Sequence, residues 1–209
     1  MGRMINTNPN NSQYKGKLHY EEDISDRIVA FPKLLQKAGY YTSVVGKWHL
    51  GWEDSSNAVN QGFDNSCILV NAGANYYITK NYKFSHPDGR DSISYFTENG
   101  NLIEYPEGTY ATEWYADKMI SFFDTANIVH TEKPFFAFMS FTSPHWPLQV
   151  PEPYQSKYKG QYDEGYQALM KKRLEGLKSK GILSKNMELP DYPDVPKWES
   201  LTDEKRKYE

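Results

Sequence analysis

The sequence predicts an α/β fold built on a mostly parallel sheet, and two observations carry this prediction. A helical pattern that ends at Gly39 is followed at once by a short apolar strand at 41–45. This helix-then-strand order is typical of α/β sheets. Residues 135–141 form an apolar run of strand length that only Ser140 interrupts, which is the pattern of a central strand covered on both faces.

The first predicted element is a helix over residues 28–38. Its apolar residues recur at helical spacing, Pro32 suits the first turn, and Gly39 suits the position just past the end. The strand at 41–45 follows directly. Residues 1–20 are rich in Asn and lack periodicity, so we expect them to be loop.

The middle of the chain is rich in turn-forming residues from 52 to 110, with one predicted hairpin. Asn99-Gly100 is a two-residue turn sequence, flanked by the apolar pairs Tyr95-Phe96 and Leu102-Ile103. A helix is predicted next, over residues 111–124. Its apolar positions are Trp114, Met119, Ile120 and Phe123.

The strand at 135–141 ends at Ser143-Pro144-His145-Trp146-Pro147, where prolines stop a strand ladder. Residues 152–164 are predicted to be loop, and residues 166–180 a helix with a basic face. Residues 185–209 lack periodicity. No internal repeat or domain boundary is evident, so residues 1–209 are expected to form one partial domain with poorly packed tails at 1–20 and 185–209.

Composition argues against several classes of function. The chain has 209 residues and a net charge of -3, which gives no reason to propose nucleic acid or an anionic membrane as a partner. No apolar run approaches the length of a membrane span, and the first 20 residues carry no apolar stretch typical of a signal peptide. The single cysteine, Cys67, excludes an internal disulfide, and we expect a buried or half-buried thiol.

Two predicted strands end in turns that carry histidine. Lys47 and His49 follow the strand at 41–45, and His145 follows the strand at 135–141. Residues two apart in an extended segment face the same side, so Lys47 and His49 can reach one anion together. If both strands belong to one parallel sheet, their ends share the edge at which α/β proteins bind ligands.

These blocks resemble the sulfatase family, whose members hydrolyse sulfate esters. Residues 39–51, which include Gly46-Lys47-Trp48-His49-Leu50-Gly51, are similar to the second sulfatase signature nearly position by position. Gly62-Phe63-Asp64 looks like the Gly-Phe-Asp that follows it, and residues 144–151 resemble the Pro-His-x-Pro-Leu-x-x-Pro turn. Residues 158–166 are like an insertion of microbial arylsulfatases. The resemblance implies an alkaline-phosphatase-like α/β/α sandwich with a mostly parallel central sheet, incomplete in this chain.

The resemblance also implies catalytic roles for three residues. Lys47 would contact the sulfate and the activated nucleophile, and His49 would assist turnover of the covalent intermediate. His145 would bind the sulfate and protonate the leaving oxygen. A fixed cation suits the sulfate oxygens, and an imidazole with an ordinary pKa of about 6.5 exchanges protons near neutrality. A structural explanation stays open, in which the Lys-x-His pair is ordinary surface and His145 caps a strand and stacks on Trp146.

The family's nucleophile and metal are expected to lie outside this chain. The nucleophile is a formylglycine made in a Cys-x-Pro-Ser-Arg motif, and no such motif occurs in the sequence. The family's calcium, held by an Asp pair upstream and an Asp-Asn pair downstream, polarises the sulfate. Asp64-Asn65 is interpreted as structural. The chain is therefore expected to be the central part of a sulfatase catalytic domain, truncated at both ends and inactive alone.

Three functions stay open on this reasoning. The first is a sulfuric ester hydrolase of the arylsulfatase type, acting on a small sulfate ester or a sulfated glycan. The second is a non-catalytic anion-binding or degenerate sulfatase-like module. The third is a phosphate or phosphonate ester hydrolase of the same superfamily, which the motif at 46–51 disfavours.

Overall fold

The computed structural model describes residues 24, 28–51, 54–70, 74–77, 83–85, 91–93, 96–128, 131–145, 147–190 and 192–207. The chain divides into two compact units, Met1–Val150 (unit 1) and Pro151–Glu209 (unit 2). The predicted loop at 1–20 lies outside the described residues. In the described part of the chain, no helix combines the length and apolarity that a bilayer crossing requires.

A mixed sheet of five strands forms the centre of unit 1. Its strands are β1 (Tyr41–Lys47), β2 (Asn65–Leu69), β5 (Phe96–Glu98), β6 (Asn101–Ile103) and β7 (Phe135–Ser140). The order across the sheet is β6-β5-β2-β1-β7. Strand β1 runs parallel to both β2 and β7, and β5 and β6 form an antiparallel hairpin beside β2. The short strands β3 (Lys83–Ser85) and β4 (Asp91–Ile93) form a separate antiparallel pair. The α/β class is confirmed.

Helix α1 (Phe31–Lys37) confirms the first predicted element. Pro32 lies in its first turn, and Gly39 follows its end with a φ of 90°, in the left-handed region that favours glycine. Phe31 packs edge-on against Phe136, with ring centroids 5.2 Å apart. Leu34 remains 56% exposed, so the apolar stripe of this helix is only partly covered.

Helix α2 (Ala111–Thr125) confirms the second predicted helix, but its buried face differs from the predicted one. Ile120 is 57% exposed, which corrects its placement in the core. Tyr115 and Phe122 are buried instead. The buried face of α2 therefore includes Trp114 and Met119 from the predicted apolar positions, but not Ile120.

Strand β7 is an edge strand in the described sheet, which corrects the prediction of a central strand covered on both faces. Its described partner is β1, and Phe135 and Phe138 are 52% and 43% exposed. An apolar run shows that both faces of a strand are apolar. It does not show that a neighbour lies on each side.

The segment 52–110 contains one correct prediction and one miss. Asn99 and Gly100, with φ of 50° and 84°, join β5 to β6 as the predicted hairpin turn. Strand β2 was missed, although it is almost entirely buried. Cys67 lies in it as a buried thiol, and burial is the main cause that raises the pKa of Cys67 to about 12.

Unit 2 is helical. Helix α4 (Gly165–Ser179) confirms the predicted basic helix. The predicted loop at 152–164 in fact begins with helix α3 (Glu152–Gln155) and a 3-10 turn at Ser156–Tyr158. Later in the chain, a 3-10 turn at Trp198–Ser200 leads into helix α5 (Asp203–Arg206). Thr202 caps α5, because its side chain accepts a hydrogen bond from the backbone N–H of Lys205.

Candidate active site

Strand β1 carries Lys47 to the carboxyl edge of the sheet, where Lys47 is its last residue and pairs with Leu69. The chain stays beside β2 for two more residues. Trp48 N–H donates to the carbonyl of Leu69 at 2.8 Å, and His49 N–H donates to that of Val70 at 3.2 Å. The Lys-x-His pair is therefore held by backbone hydrogen bonds on the ordered edge of the sheet.

Trp48 anchors this segment between the two candidate residues. Its indole N–H donates to the carbonyl of Ser56 at 3.0 Å, and its ring meets Phe63 edge-on at 6.1 Å. His49 then adopts a φ of 52°, in a left-handed region that non-glycine residues rarely occupy. The surrounding contacts fix the backbone on both sides of His49, which keeps this unusual conformation in place.

Burial and a neighbouring charge shift the pKa values of Lys47 and His49. Burial lowers the pKa of Lys47 from its ordinary value. Burial is also the main cause that lowers the pKa of His49, and the positive charge of Lys47 is the second. The imidazole of His49 therefore favours its neutral form. A nearby anion would offset the cost of keeping Lys47 charged in this half-buried position.

His145 follows the end of β7 in a tight turn. Its backbone N–H donates to the carbonyl of Thr142 at 3.0 Å, and the Ser143–Pro144 peptide bond between them is cis. The residue is exposed, so its side chain is accessible. Trp146, the proposed stacking partner in the structural explanation, lies outside the described residues.

Tyr76 forms hydrogen bonds to the turn that carries His145. Its hydroxyl donates to the carbonyl of Thr142 at 3.2 Å and to the carbonyl of His145. Its backbone N–H donates to the side-chain carbonyl of Gln149 at 3.0 Å. Tyr76 is only 2% exposed, so these bonds form in a largely dry environment, where they are worth more than at the surface.

Two hydroxyl groups in the first turns of α2 also contact this turn. The hydroxyls of Thr112 and Ser143 are 3.0 Å apart, and those of Tyr115 and Thr142 are 3.5 Å apart. Sequence reasoning did not identify Tyr76, Thr112 or Tyr115 as supports of the site. Tyr76 and Thr142 are separated by 66 positions, so no local pattern could reveal the bond between them.

Topology places Lys47 and the turn of His145 at one edge and on one face of the sheet. Gly46 and Ser140 are register partners at the adjoining ends of β1 and β7. Val45 packs in the cluster that contains residues of α2, and Lys47, two residues on, shares its face of β1. The turn of His145 is bonded to α2. That the three side chains meet at one anion stays a prediction.

Asp64 has a structural role in this fold. One carboxylate oxygen accepts a bond from the backbone N–H of Thr42 at 2.8 Å, and the other accepts from the side chain of Gln36 at 2.8 Å. Among the described residues, no group of three or more His, Cys, Asp or Glu side chains is gathered as a metal site would require. The described residues therefore do not fit the family's calcium.

Comparisons with known proteins point to one family. The family model described as Sulfatase matches residues 4–192. An uncharacterized sulfatase of Schizosaccharomyces pombe is 34% identical over 198 residues, and Arylsulfatase of Klebsiella aerogenes is 33% identical over 195 residues. Both alignments cover 92% of this chain. The chain spans 35% and 40% of the lengths of these two relatives.

A solved structure shows the same likeness in three dimensions. The crystal structure of Ps i-CgsB in complex with k-i-k-neocarrahexaose matches this chain with a TM-score of 0.50 and 25% identity. The match covers 61% of this chain and 29% of that protein. The matched 61% of this chain thus shares its fold with part of that protein.

Proposed function

Because the chain belongs to the sulfatase family, we propose that its candidate site takes part in the hydrolysis of a sulfate ester. The observation that carries this proposal is the adjacency of two parallel strand ends, one leading into Lys47 and the other into the turn of His145. The chain spans 35% and 40% of the two relatives above, so the activity of a whole protein is part of the proposal.

Lys47 binds the non-bridging oxygens of the sulfate in this proposal. Its ammonium group is a compact point charge that can donate three hydrogen bonds. Burial disfavours the charged form of Lys47 in the absence of a partner, and a bound anion compensates for that cost. A cation fixed before the substrate arrives needs no reorganisation when charge develops on the oxygens.

The two histidines transfer protons in this proposal. When the bond between sulfur and the ester oxygen breaks, the leaving oxygen needs a proton, and His145 donates it. His49 favours its neutral form and therefore suits the opposite task of accepting a proton. The frame around the turn of His145 supports this role, because a proton donor must be held in position to act.

The nucleophile is expected to come from outside these 209 residues. The family uses a formylglycine, and the sequence contains no Cys-x-Pro-Ser-Arg motif from which to make one. We therefore propose that the purified chain does not turn over an aryl sulfate. Turnover by the chain that is abolished by His145→Ala would overturn this part of the proposal.

The substrate class is a small sulfate ester or a sulfated glycan. The similarity to Arylsulfatase of Klebsiella aerogenes supports an ester of this type. The similarity to Ps i-CgsB, which was crystallised with k-i-k-neocarrahexaose, supports a saccharide. Comparing matched sulfate and phosphate esters with a longer protein that includes the formylglycine segment would test the preference for sulfate.

Binding of inorganic sulfate to the 209-residue chain tests the site directly. In a nuclear magnetic resonance titration, we expect the amide signals of residues 47–49 and 142–145 to shift together. Lys47→Ala and His145→Ala should each abolish this response. Lys37→Ala is the matched control, because Lys37 ends α1 shortly before β1 begins, whereas Lys47 is at the other end of β1. A response that survives both site variants would overturn the proposed site.

A further inference from the structure

We propose that a cleft within unit 2 binds a sulfated saccharide through residues other than Lys47, His49 and His145. The choice of a sulfated ligand rests on the proposed function, but the cleft itself rests on its own geometry. Its volume is about 960 Å³. This size lies at the upper end of small-molecule sites and is sufficient for a short oligosaccharide.

One wall of the cleft consists of solvent-facing tyrosines. The rings of Tyr158 and Tyr162 are stacked, with centroids 6.2 Å apart and an interplanar angle of 16°. Both residues line the cleft, and they are 54% and 46% exposed. Rings that serve only to fill a core are covered. These rings instead present flat faces, whose negative potential attracts the C–H faces of a sugar ring.

The lining also includes Trp198, whose position is fixed by contacts within unit 2. A Cβ atom added to Gly165 would lie 2.3 Å from the ring of Trp198, so the indole packs directly on the glycine backbone. The backbone N–H of Trp198 donates to the side chain of Gln167 at 3.2 Å. Arg206 lies 5.9 Å from the indole ring and donates to the carbonyl of Trp198 at 3.2 Å. A ligand therefore meets a wall that needs no ordering.

The charged groups of the cleft suit a ligand with few sulfates. Lys159 and Lys207 line it, and so do the carboxylates of Glu152 and Asp163. Arg206 is engaged with Trp198 and lies 3.4 Å from Asp203 in an ion pair. Two lysines can hold a sulfate group, while carboxylates accept hydrogen bonds from sugar hydroxyls. Such a near balance of charge disfavours nucleic acid, which needs a strongly positive groove.

Calorimetry on the 209-residue chain with a sulfated carrageenan hexasaccharide tests this site. We expect Tyr158→Ala, Tyr162→Ala and Lys159→Ala each to weaken the Kd by about tenfold or more, because each removes a contact of the exposed lining. The matched controls are Tyr192→Ala and Lys185→Ala, which alter exposed residues of unit 2 outside the lining. Circular dichroism establishes that every variant stays folded.

The outcomes separate this inference from the proposed function. Binding that persists in Lys47→Ala and His145→Ala but is weakened in Tyr162→Ala supports the cleft as the binding site. Binding that is lost in the first pair and unchanged in Tyr162→Ala overturns the cleft while supporting the proposed active site. Equal affinity for the desulfated hexasaccharide, or for single-stranded DNA, overturns the assignment of a sulfated ligand. An absence of binding by the wild-type chain also overturns the inference.

Discussion

The hydroxyl of Tyr76 is hydrogen bonded to the backbone carbonyl of His145, 69 positions away in the sequence. The same hydroxyl reaches the carbonyl of Thr142 at 3.2 Å. A single buried phenol therefore bridges the two ends of the turn that carries the candidate proton donor. The position of His145 therefore depends on a residue that lies far from it in the sequence.

Tyr76→Phe should loosen this turn without unfolding the chain. Removing the hydroxyl takes away the donor that two carbonyls share, and we expect a loss of about 1–2 kcal/mol in the free energy of unfolding. Urea denaturation measures this loss. Nuclear magnetic resonance should show the largest amide shifts over residues 142–149, because Gln149 also bonds to Tyr76.

Tyr105→Phe is the matched control for this substitution. Tyr105 is buried, and its hydroxyl donates to the nearby carbonyl of Thr109 at 2.8 Å. This variant should lose comparable stability and leave the signals of residues 142–149 in place. Identical shift patterns in the two variants would contradict the positioning role of Tyr76.

Gly46→Ala should be strongly destabilising. A Cβ at Gly46 would lie 2.1 Å from the carbonyl oxygen of Ser140, and the φ of 113° is unfavourable for alanine. Strand β1 would have to move away from β7, at a cost on the order of 3 kcal/mol or more. Gly39→Ala provides the comparison, since Gly39 has a φ of 90° but open space around a new Cβ. Its cost should be about 1 kcal/mol, and equal thermal shifts in both variants would be the contradicting result.

His49 should make the stability of the chain depend on pH. Its folded pKa lies below the ordinary value of 6.5, mainly through burial. Between the lowered pKa and 6.5 the unfolded chain binds more protons than the folded chain, so the free energy of unfolding falls as the pH falls through this window. His49→Asn removes the titration, and asparagine tolerates the left-handed backbone. Denaturation of both proteins from about pH 7.5 to about pH 5 measures the difference, and parallel profiles would refute it.

The exposed aromatic side chains of β7 should cause self-association of the 209-residue chain. Phe135 and Phe138 are exposed on this strand, which is at the edge of the sheet that the described residues form, and apolar edge strands favour pairing between chains. Phe138→Lys should lower the apparent mass in light scattering at high concentration. Leu102→Lys is the control, because Leu102 is 71% exposed on β6 at the other edge. If the wild-type chain has a monomeric mass at every concentration, the predicted self-association is wrong.

Local signals predicted those parts of the fold that local chemistry determines. Pro32 and Gly39 indicated the two ends of α1, and Asn99-Gly100 indicated the hairpin turn. Each of these signals depends on the backbone preferences of one or two residues. Strand β2 has no such signal. It begins with Asn65 and Ser66, and its burial comes from pairing with β1, more than twenty positions earlier. Tertiary contacts made this segment a strand against its composition.

The candidate site was predictable in part, because its residues lie in local sequence motifs. Lys47, His49 and His145 stand in contiguous motifs, and the parallel pairing of β1 with β7 puts both motifs at one sheet edge. The frame around them was not predictable, since Tyr76 and Thr112 reach the turn of His145 from distant positions. Ile120 shows a further limit, because helical spacing alone could not distinguish its outward position from the inward position of Phe122.

Strand β1 lies between two parallel neighbours, and every residue from Tyr41 to Gly46 is buried. The ammonium group of Lys47, the last residue of this strand, is therefore attached to a backbone that is paired on both sides. In the proposed function, esters of different shape would meet a cation that is attached at the same backbone position. Discrimination among them would have to come from regions that approach the reacting group from outside the sheet.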